Sequence, residues 1–402
     1  MKKVLPVLFL LLLPMFANAE KVKIDGIWYE LLETECARVI PANEGTIYSG
    51  DIVIPEIIAY NNIEYYVTVI SHRAFDNCTN LTGVYLPKSI SIVDVYAFYD
   101  CPSLKNIVVE EGNPEYDSRN NCNAIIETST NTLIIGCKNS IIPNSVTSIG
   151  HAAFENCINL TDIVIPNSVT NIGCGAFENC INLTDIVIPN SVTNIGCGTF
   201  YGCSSLTNIT ISNSVAKIED YTFSGCSGLT NIVIPNSVTN IGISAFEGCS
   251  NLIDVTISNS VTSIGYSAFY GCTSLTSIVI PNSVTSIGYS AFSISNFKEI
   301  IIEATVPPVA YYNSFHYNDY CNAVLRVPIG TKHLYQDANG WENFLHIEEF
   351  DPALNCTKLF SEQKSKFFPV YDIHGKLIKD LNKCPNGIYI QKGKKYFINN
   401  SK

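Results

Sequence analysis

Apolar and polar positions alternate along the chain in a short unit that recurs many times. The segment at residues 153–169 returns letter for letter at residues 176–192. Within the first copy, Leu160, Ile163 and Ile165 form an apolar core typical of a short strand, and a Pro-Asn-Ser turn follows. The pattern therefore predicts short strands joined by turns, each with one face toward a core.

A phenylalanine marks each copy of this unit at a fixed spacing. Successive markers have the same spacing as Phe154 and Phe177. The one exception is the pair Phe98 and Phe154, which are two repeats plus ten extra residues apart. A strict period of about 23 residues is typical of a solenoid, in which each coil buries its apolar residues only by stacking on its neighbours. We therefore predict coils stacked at about the 4.8 Å spacing of paired strands. The marker residues are Phe75, Phe98, Phe154, Phe177, Phe200, Phe223, Phe246, Phe269 and Phe292.

The consensus L-T-x-I-x-I-P-N-S-V-T-x-I-G-x-x-A-F-x-x-C-x-x resembles the leucine-rich repeat of the BspA-like surface proteins of anaerobic bacteria and some protozoan parasites. It differs from the general L-x-x-L-x-L-x-x-N pattern by ending its strand in IPNSV and its coil in AFxxC. The resemblance covers residues 51–302. It implies an α/β leucine-rich-repeat solenoid dominated by β-structure, with parallel strands and short helical or 3-10 turns.

Three segments complete the predicted solenoid. Residues 20–50 are expected to form an N-terminal cap, because the end of a solenoid must cover its last core face. Residues 110–137 resemble the β-hairpin insert that interrupts the repeats in this family, and residues 303–350 resemble its C-terminal capping unit. The apolar seal of that cap is expected to consist of Trp341, Phe344 and Ile347.

The N-terminus predicts export. Lys2 and Lys3, an apolar run over residues 4–16 and Ala17-Asn18-Ala19 together indicate a secretory signal peptide over residues 1–19. No cysteine follows the cleavage point, which argues against a lipid anchor. No later apolar run approaches the roughly 18 to 20 residues that span a bilayer. We therefore expect no transmembrane segment and a protein at the cell surface, attached to the outer membrane, or in the extracellular medium.

The C-terminal end differs in composition from the rest of the chain. Residues 351–367 are predicted to be a linker, and residues 368–402 a basic β tail with two pairs of alternating strands. This tail resembles the end of the sorting domains that some Gram-negative bacteria use for secretion and surface attachment. The alternative is a small β-hairpin tail without a targeting role.

The charge and the motifs exclude several classes of function. The net charge is −12, which argues against nucleic acid or an anionic membrane as a partner. No H-E-x-x-H, G-x-S-x-G or P-loop motif occurs, and no isolated pair of carboxylates recurs at one repeat position. We therefore predict that the protein is not an enzyme and has no catalytic residues and no cofactor.

One column of the repeat carries residue types that bind metals. His151, Cys174, Cys197 and Asp220 occupy the same position on consecutive coils. Four coils span about 14 Å, which is too far for one zinc ion. Two neighbours could share an ion, or Cys174 and Cys197 could form a disulfide, since a ~4.8 Å separation suits one. The alternative is a variable corner filled by whatever side chain fits, and no metal site is predicted.

Half of the sixteen cysteines fall at a single repeat position, three residues after the phenylalanine. Because this position lies between two core columns, we expect buried, unreactive thiols that pack as small apolar groups. Cys122 and Cys137, at the base of the predicted hairpin insert, form a candidate disulfide. The eight ladder cysteines are Cys78, Cys101, Cys157, Cys180, Cys203, Cys226, Cys249 and Cys272.

The outward positions of the predicted strands form columns of Thr, Asp or Asn, and Val with almost no positive charge. Between residues 141 and 296 the only lysine or arginine is Lys217. Such a face suits an extended partner bound through hydrogen bonds and small apolar contacts; the alternative is a solvated face without a ligand. The candidate binding residues are Thr161, Asp162, Val164, Thr184, Asp185, Val187, Thr207, Asn208, Thr210, Thr230, Asn231, Val233, Asp254 and Thr256.

Tyrosines toward the C-terminal end form a second candidate contact patch, since tyrosine is favoured at binding surfaces. Tyr266, Tyr270, Tyr289, Tyr311 and Tyr312 cluster there, and the first three are the candidate aromatic patch. We expect a monomeric protein that binds a protein or glycan ligand at the cell surface. The resemblance implies adhesion to host proteins, matrix or other cells; the alternative is an envelope protein that binds glycan or builds a surface layer.

Overall fold

The structure is a computed structural model that describes residues 19–32, 34–42 and 47–352, together with the backbone of four strands between residues 370 and 398. The predicted signal peptide, except for its last residue, and most of the predicted linker lie outside the described residues. Within the described ranges, no helix has the length and apolar character needed to cross a membrane.

The described repeats form the predicted solenoid, and the α/β, β-dominated leucine-rich-repeat fold is confirmed. Each coil has a strand before the Pro-Asn-Ser turn, called here the front strand, and a shorter strand after it, called the back strand. Neighbouring coils pair in parallel with partners one repeat apart, as Asp185 does with Asn208 and Asn171 with Asn194. The alternation in the sequence sets the orientation, because Ile186 is buried while Asp185 and Val187 are exposed.

The strand bounds show that the front strands pair in short groups and the back strands in longer ladders. The front strands are Ser49–Val53, Asn80–Leu86, Asn106–Val109, Asp185–Val187, Asn208–Thr210, Asn231–Val233, Asp254–Thr256, Ser277–Ile280, Glu299–Ile302, Val324–Pro328 and His346–Phe350. The back strands are Ile63–Ile70, Ile92–Val93, Thr132–Ile135, Ser148–Ile149, Asn171–Ile172, Asn194–Ile195, Lys217–Ile218, Asn240–Ile241, Ser263–Ile264, Ser286–Ile287 and Val309–Ala310.

The marker phenylalanines stack inside the solenoid in two runs, Phe75 with Phe98 and Phe154 through Phe292, called here together the phenylalanine ladder. The ring of Phe200 lies between those of Phe177 and Phe223, with centroids 5.5 and 5.6 Å away and nearly parallel planes. The column continues beyond Phe292 to Phe315, whose ring is 5.3 Å away. The markers taken from the sequence end at Phe292, although Phe315 keeps the interval of one repeat after it.

The ladder cysteines join neighbouring coils through their thiols. The S–H of Cys226 donates to the carbonyl oxygen of Phe200 at 3.1 Å, and that of Cys249 donates to Phe223 at 3.2 Å. Each acceptor belongs to the preceding coil. The backbone N–H of Cys226 donates to Phe223 at 3.1 Å in its own coil. A ladder carbonyl such as that of Phe223 thus accepts two hydrogen bonds, one from each of two coils.

Both ends of the described solenoid cover the ladder with aromatic side chains. At the N-terminal end, the ring of Tyr48 lies 4.9 Å from that of Phe75. At the C-terminal end, Trp341 and Phe344 each lie 5.4 Å from Phe315. The N-terminal sheet adds Lys21–Ile24, Ile27–Leu31, Cys36–Val39 and Ile57–Tyr60, and the C-terminal end adds helices Tyr317–Asn322 and Lys332–Asp337.

An antiparallel insert separates the first coils from the rest. Strands Tyr116–Asp117 and Ile125–Glu127, with a 3-10 turn at Arg119–Asn121 between them, extend the sheet that Thr132–Ile135 begins. The ladder restarts at Phe154, whose ring lies where a Cβ on Gly136 would be only 2.1 Å away. Glycine is therefore required there, because the ring packs directly on the backbone.

The candidate disulfide between Cys122 and Cys137 stays a prediction: the two thiols are free in the structure, as those of Cys174 and Cys197 are, and the two residues belong to different core clusters. Cys122 belongs to the core that starts at the insert and continues through the later repeats, with its thiol 3.7 Å from the carbonyl of Ala124. Cys137 belongs to the core of the first coils, with its thiol 3.3 Å from the carbonyl of Asn123.

The described strands near the C-terminus form a separate antiparallel sheet of four strands. The last two strands form a hairpin, and the first strand lies between the second and the third. The strands are Val370–Asp372, Leu377–Ile378, Gly387–Gln391 and Lys394–Ile398.

Removing one ladder ring is expected to destabilise the solenoid strongly. Phe200→Ala should lower the free energy of unfolding by about 3–5 kcal/mol, because the cavity lies between two rigidly stacked rings. Tyr201→Ala is the matched control, since this neighbouring aromatic side chain is 42% exposed whereas Phe200 is fully buried. Urea unfolding followed by circular dichroism measures both, and equal losses for the two variants would contradict a stacked core.

Candidate binding surfaces

The front strands place the predicted binding residues along one surface, called here the front face. Twelve of the fourteen predicted residues are exposed, and Asp254 and Thr256 are half-buried. The threonines form a column in which the hydroxyl of Thr207 donates to the carbonyl of Thr184 at 3.2 Å. Asn208 Nδ2 donates to Asp185 Oδ1 at 2.6 Å on the neighbouring strand. These bonds between coils order the polar side chains of the front face.

Apolar side chains on the front face remain open to solvent. Val164 is 81% exposed and Val187 is 64% exposed, and Val233, Ile253 and Val279 are also exposed. The four valines share one repeat position, where Thr210 and Thr256 stand on intervening coils, and Ile253 lies in the threonine column. Single exposed apolar residues are common on proteins, but their return at one position gives a mixed column of Val and Thr. The front face therefore offers small apolar contacts beside ordered hydrogen-bonding groups.

The structure brings three of the clustered tyrosines into contact. The rings of Tyr266 and Tyr289 are stacked at 5.7 Å, and Tyr312 meets Tyr289 edge to face at 6.3 Å. Tyr312 lies one repeat after Tyr289, so these three share one repeat position. Tyr270 is half-buried and occupies a different repeat position, directly after the ladder residue Phe269.

The column of metal-binding residue types does not converge on one point. His151 Nδ1 is 2.8 Å from the carbonyl oxygen of Cys174, so this nitrogen carries the proton and donates. Its Nε2 then accepts from the hydroxyl of Tyr96 at 2.9 Å. Asp220 Oδ1 accepts from the backbone N–H of Ile243 at 2.7 Å. In the part of the chain that the structure describes, no three His, Cys, Asp or Glu side chains are grouped to hold a metal ion.

A small cleft lies where the insert meets the repeats. It has a volume of about 20 Å³, room for about one water molecule, and its lining includes Tyr96, Tyr99 and Glu155. Burial, and secondarily the nearby carboxylate of Glu178, raise the pKa of Glu155 to about 7, while Arg73 opposes this shift. The cleft is too small for an organic ligand, so the open surfaces are the better candidates for binding.

The ladder thiols from Cys203 to Cys272 are chemically protected, whereas a hydrogen bond with Cys101 lowers the pKa of Cys78. Burial raises the pKa of Cys203 and of Cys272 to about 12, and it raises the pKa of Cys226 and Cys249 well above the ordinary thiol value. A thiol that stays protonated and buried is a poor nucleophile. These cysteines therefore contribute packing and hydrogen bonds between coils.

Comparisons with known proteins agree with the architecture. The family model for the BspA type leucine-rich repeat region matches six copies over residues 57–129, 134–253 and 193–322, which is more than half of the chain. A comparison with curated proteins gave no match. The fold and its repeats define a leucine-rich-repeat solenoid. The chain belongs to the BspA-type leucine-rich-repeat family, which confirms the resemblance seen in the sequence.

Solved structures with the same fold come from bacteria. A leucine-rich repeat protein from Bacteroides ovatus is 23% identical, with 82% of this chain and 76% of that chain covered and a TM-score of 0.52. One from Eubacterium ventriosum is 21% identical over 67% of this chain and 93% of that chain, with a TM-score of 0.50. A leucine rich cell surface protein from Faecalibacterium prausnitzii is 24% identical over 82% and 94%, with a TM-score of 0.40.

We expect the ladder thiols to resist modification while the protein is folded. Iodoacetamide at neutral pH should leave Cys226 and Cys249 unlabelled in the native protein and label both in denaturant, because burial suppresses their thiolates. Cys197, which is exposed, serves as the internal reference for reagent access in fully reduced protein. Mass spectrometry of the digested protein reads each site. Native labelling of the ladder cysteines at the rate of Cys197 would contradict their burial.

The pKa of Glu155 predicts a pH-dependent contribution to stability. Between its ordinary pKa of 4.5 and about 7, the folded protein holds a proton that the unfolded chain has lost. This contribution to the free energy of unfolding is therefore fully present below the ordinary pKa and is lost as the pH rises through about 7. Glu155→Gln should lose less stability than the wild type across this window. Urea unfolding along a pH series tests this, and parallel curves for the two proteins would refute it.

Proposed function

We propose that this protein is a non-enzymatic, exported binding protein whose front face contacts a protein partner in adhesion to host proteins, matrix or other cells. Membership of the family supports a protein-binding role. The observation that carries the proposal is the column of exposed valines, interrupted by Thr210 and Thr256, beside the hydrogen-bonded columns of Thr and of Asp or Asn. A solenoid presents such a column at regular intervals to an extended partner.

Charge favours a partner with basic or neutral contact residues. Between residues 141 and 296 Lys217 is the only lysine or arginine, while Asp162, Asp185 and Asp254 lie on the front face. An acidic surface repels anionic polymers and attracts cationic segments at moderate ionic strength. Nucleic acid and anionic membranes are therefore poor partners for this surface.

The alternative function is binding to envelope glycans, and the tyrosine column is the surface to consider for it. A sugar ring that packs on an aromatic side chain needs a free ring face. Stacking of Tyr266 on Tyr289 covers one face of each ring, so edges and hydroxyl groups remain for contact. This arrangement supports a protein partner more than a sugar packed flat on tyrosine.

The proposal includes export and surface attachment. It rests on the predicted signal peptide over residues 1–19 and on the resemblance of the basic tail over residues 368–402 to sorting domains. If the tail attaches the protein, deletion of residues 356–402 should release it from the cell while the purified protein keeps its binding activity. Loss of binding by the purified protein would instead place the contact surface in the tail.

A charge introduced into the valine column should weaken binding. The mature protein is immobilised and tested against extracellular matrix proteins and a glycan array. For a ligand that binds, Val187→Asp should reduce affinity about tenfold or more, because an unpaired charge is costly inside an interface. Val309→Asp is the matched control, since Val309 is 68% exposed but lies on a back strand. Equal effects of the two variants would reject the front face, and binding only to glycans would favour the alternative.

A further inference from the structure

Two cysteines at the same corner of neighbouring coils are in direct contact. Cys174 Sγ and Cys197 Sγ are 3.0 Å apart. Cys197 is exposed and Cys174 is half-buried. The ladder thiols are different, because each of Cys203 and Cys226 is buried and donates to a phenylalanine carbonyl. The pair is therefore close enough to bond and is open to reagents in solvent.

The backbone holds this corner in register. Gly175 donates its N–H to the carbonyl of Cys197 at 2.9 Å, and Gly196 donates to Ile172 at 2.9 Å. A Cβ on Gly196 would lie 2.4 Å from the nitrogen of Cys174. Only glycine allows the two coils to approach this closely. The positions of the two thiols are thus fixed by the same contacts that stack the coils.

The front strands of the same two coils are weakly joined. Asp162 and Asp185 pair through a single isolated bridge, whereas Asp185–Val187 pairs with Asn208–Thr210 over three residues. The bridge also places two carboxylates on adjacent strands, about 4.8 Å apart in the backbone, where like charges repel. An additional link between these coils would therefore offset a local weakness of the front face.

We propose that Cys174 and Cys197 form a disulfide in an oxidising compartment, and that this bond fastens the two coils at their corner. The inference rests on the proposed export, because disulfides persist in exported proteins and are reduced in the cytosol. His151 and Asp220, the nearest residues at the same repeat position, are bonded to other groups and do not compete for the two thiols. His151 is engaged with Tyr96 and the carbonyl of Cys174, and Asp220 accepts from Ile243.

The bond requires a disulfide-containing oxidant, such as an oxidised thiol–disulfide oxidoreductase or oxidised glutathione. The exposed thiol of Cys197 loses a proton and attacks one sulfur of the oxidant, whose S–S bond breaks and whose other sulfur leaves as a thiolate. Cys174 then loses its proton and attacks Cys197 in this mixed disulfide, which releases the second oxidant sulfur. The two protein thiols are oxidised, and the oxidant becomes two thiols after it takes up the two protons.

The first test uses the purified, fully reduced chain in a glutathione buffer that contains both oxidised and reduced forms. After quenching and alkylation, cleavage after Glu155, Glu178 and Glu219 separates the two cysteines onto different peptides. We expect a cross-linked pair of peptides, lighter than the two free peptides by two hydrogen atoms. If both thiols remain fully alkylated in the folded protein, the disulfide proposal is overturned, whatever the location of the protein.

Variants assign the cross-link. Cys174→Ser and Cys197→Ser should each abolish it, whereas Cys157→Ser should retain it, although Cys157 lies on the same peptide as Cys174. Loss of the cross-link in the Cys157 variant alone, with the protein still folded by circular dichroism, would show that the bond involves Cys157 and overturn the proposed pairing. Tandem mass spectrometry of the cross-linked pair distinguishes Cys197 from Cys180 and Cys203 without any variant.

Two further measurements test the fastening role of the bond and the proposed export independently of whether the bond can form. Hydrogen exchange should slow at residues 161–165 and 184–188 when the bond forms, with no change at residues 229–234; unchanged exchange at the first two segments would reject the fastening role. The protein collected from the cells that make it should carry the bond. Free thiols there, together with ready oxidation of the purified protein, would contradict the proposed export and leave the chemistry of the pair in place.

Discussion

The structure depends on the stacking of one coil on the next through the phenylalanine ladder. A central ring such as that of Phe223 is covered on both faces by its neighbours, and its carbonyl accepts one hydrogen bond from its own coil and one from the next. No coil can bury its ring alone. Stability is therefore shared between neighbours, and the ends require aromatic covers such as Tyr48 and Trp341.

This arrangement separates the interior of the protein from its surface. Packing fixes the inward Leu, Ile, Phe and Cys of every coil, while the outward positions of the front strands are free to differ. The change from Asp185 to Asn208 at the same position illustrates this freedom, because both side chains reach solvent and bond to each other. The side chains of the front face can therefore determine binding specificity without a change of fold.

Most of the fold was predictable from the sequence, because a fixed repeat period reports the stacking directly. The period also contained Phe315, which follows Phe292 by one repeat and extends the ladder. Contacts without a period were harder to predict. The position of Cys122 and Cys137 at the base of a hairpin suggests a disulfide, but it does not report that the two residues belong to different core clusters. The exposure of the valines follows from the alternation of inward and outward residues along each front strand. The identity of the ligand depends on differences between outward side chains, which this alternation does not encode.

The central claim is that the front face is the contact surface of this leucine-rich-repeat protein. Hydrogen–deuterium exchange of the mature protein, alone and saturated with a matrix protein that it binds, tests this most directly. Slower exchange is expected along the front strands from Asp185–Val187 to Asp254–Thr256, with the back strands unchanged. Protection confined to the back strands or to the corner that carries Tyr266 and Tyr289, with the front strands unaffected, would contradict it.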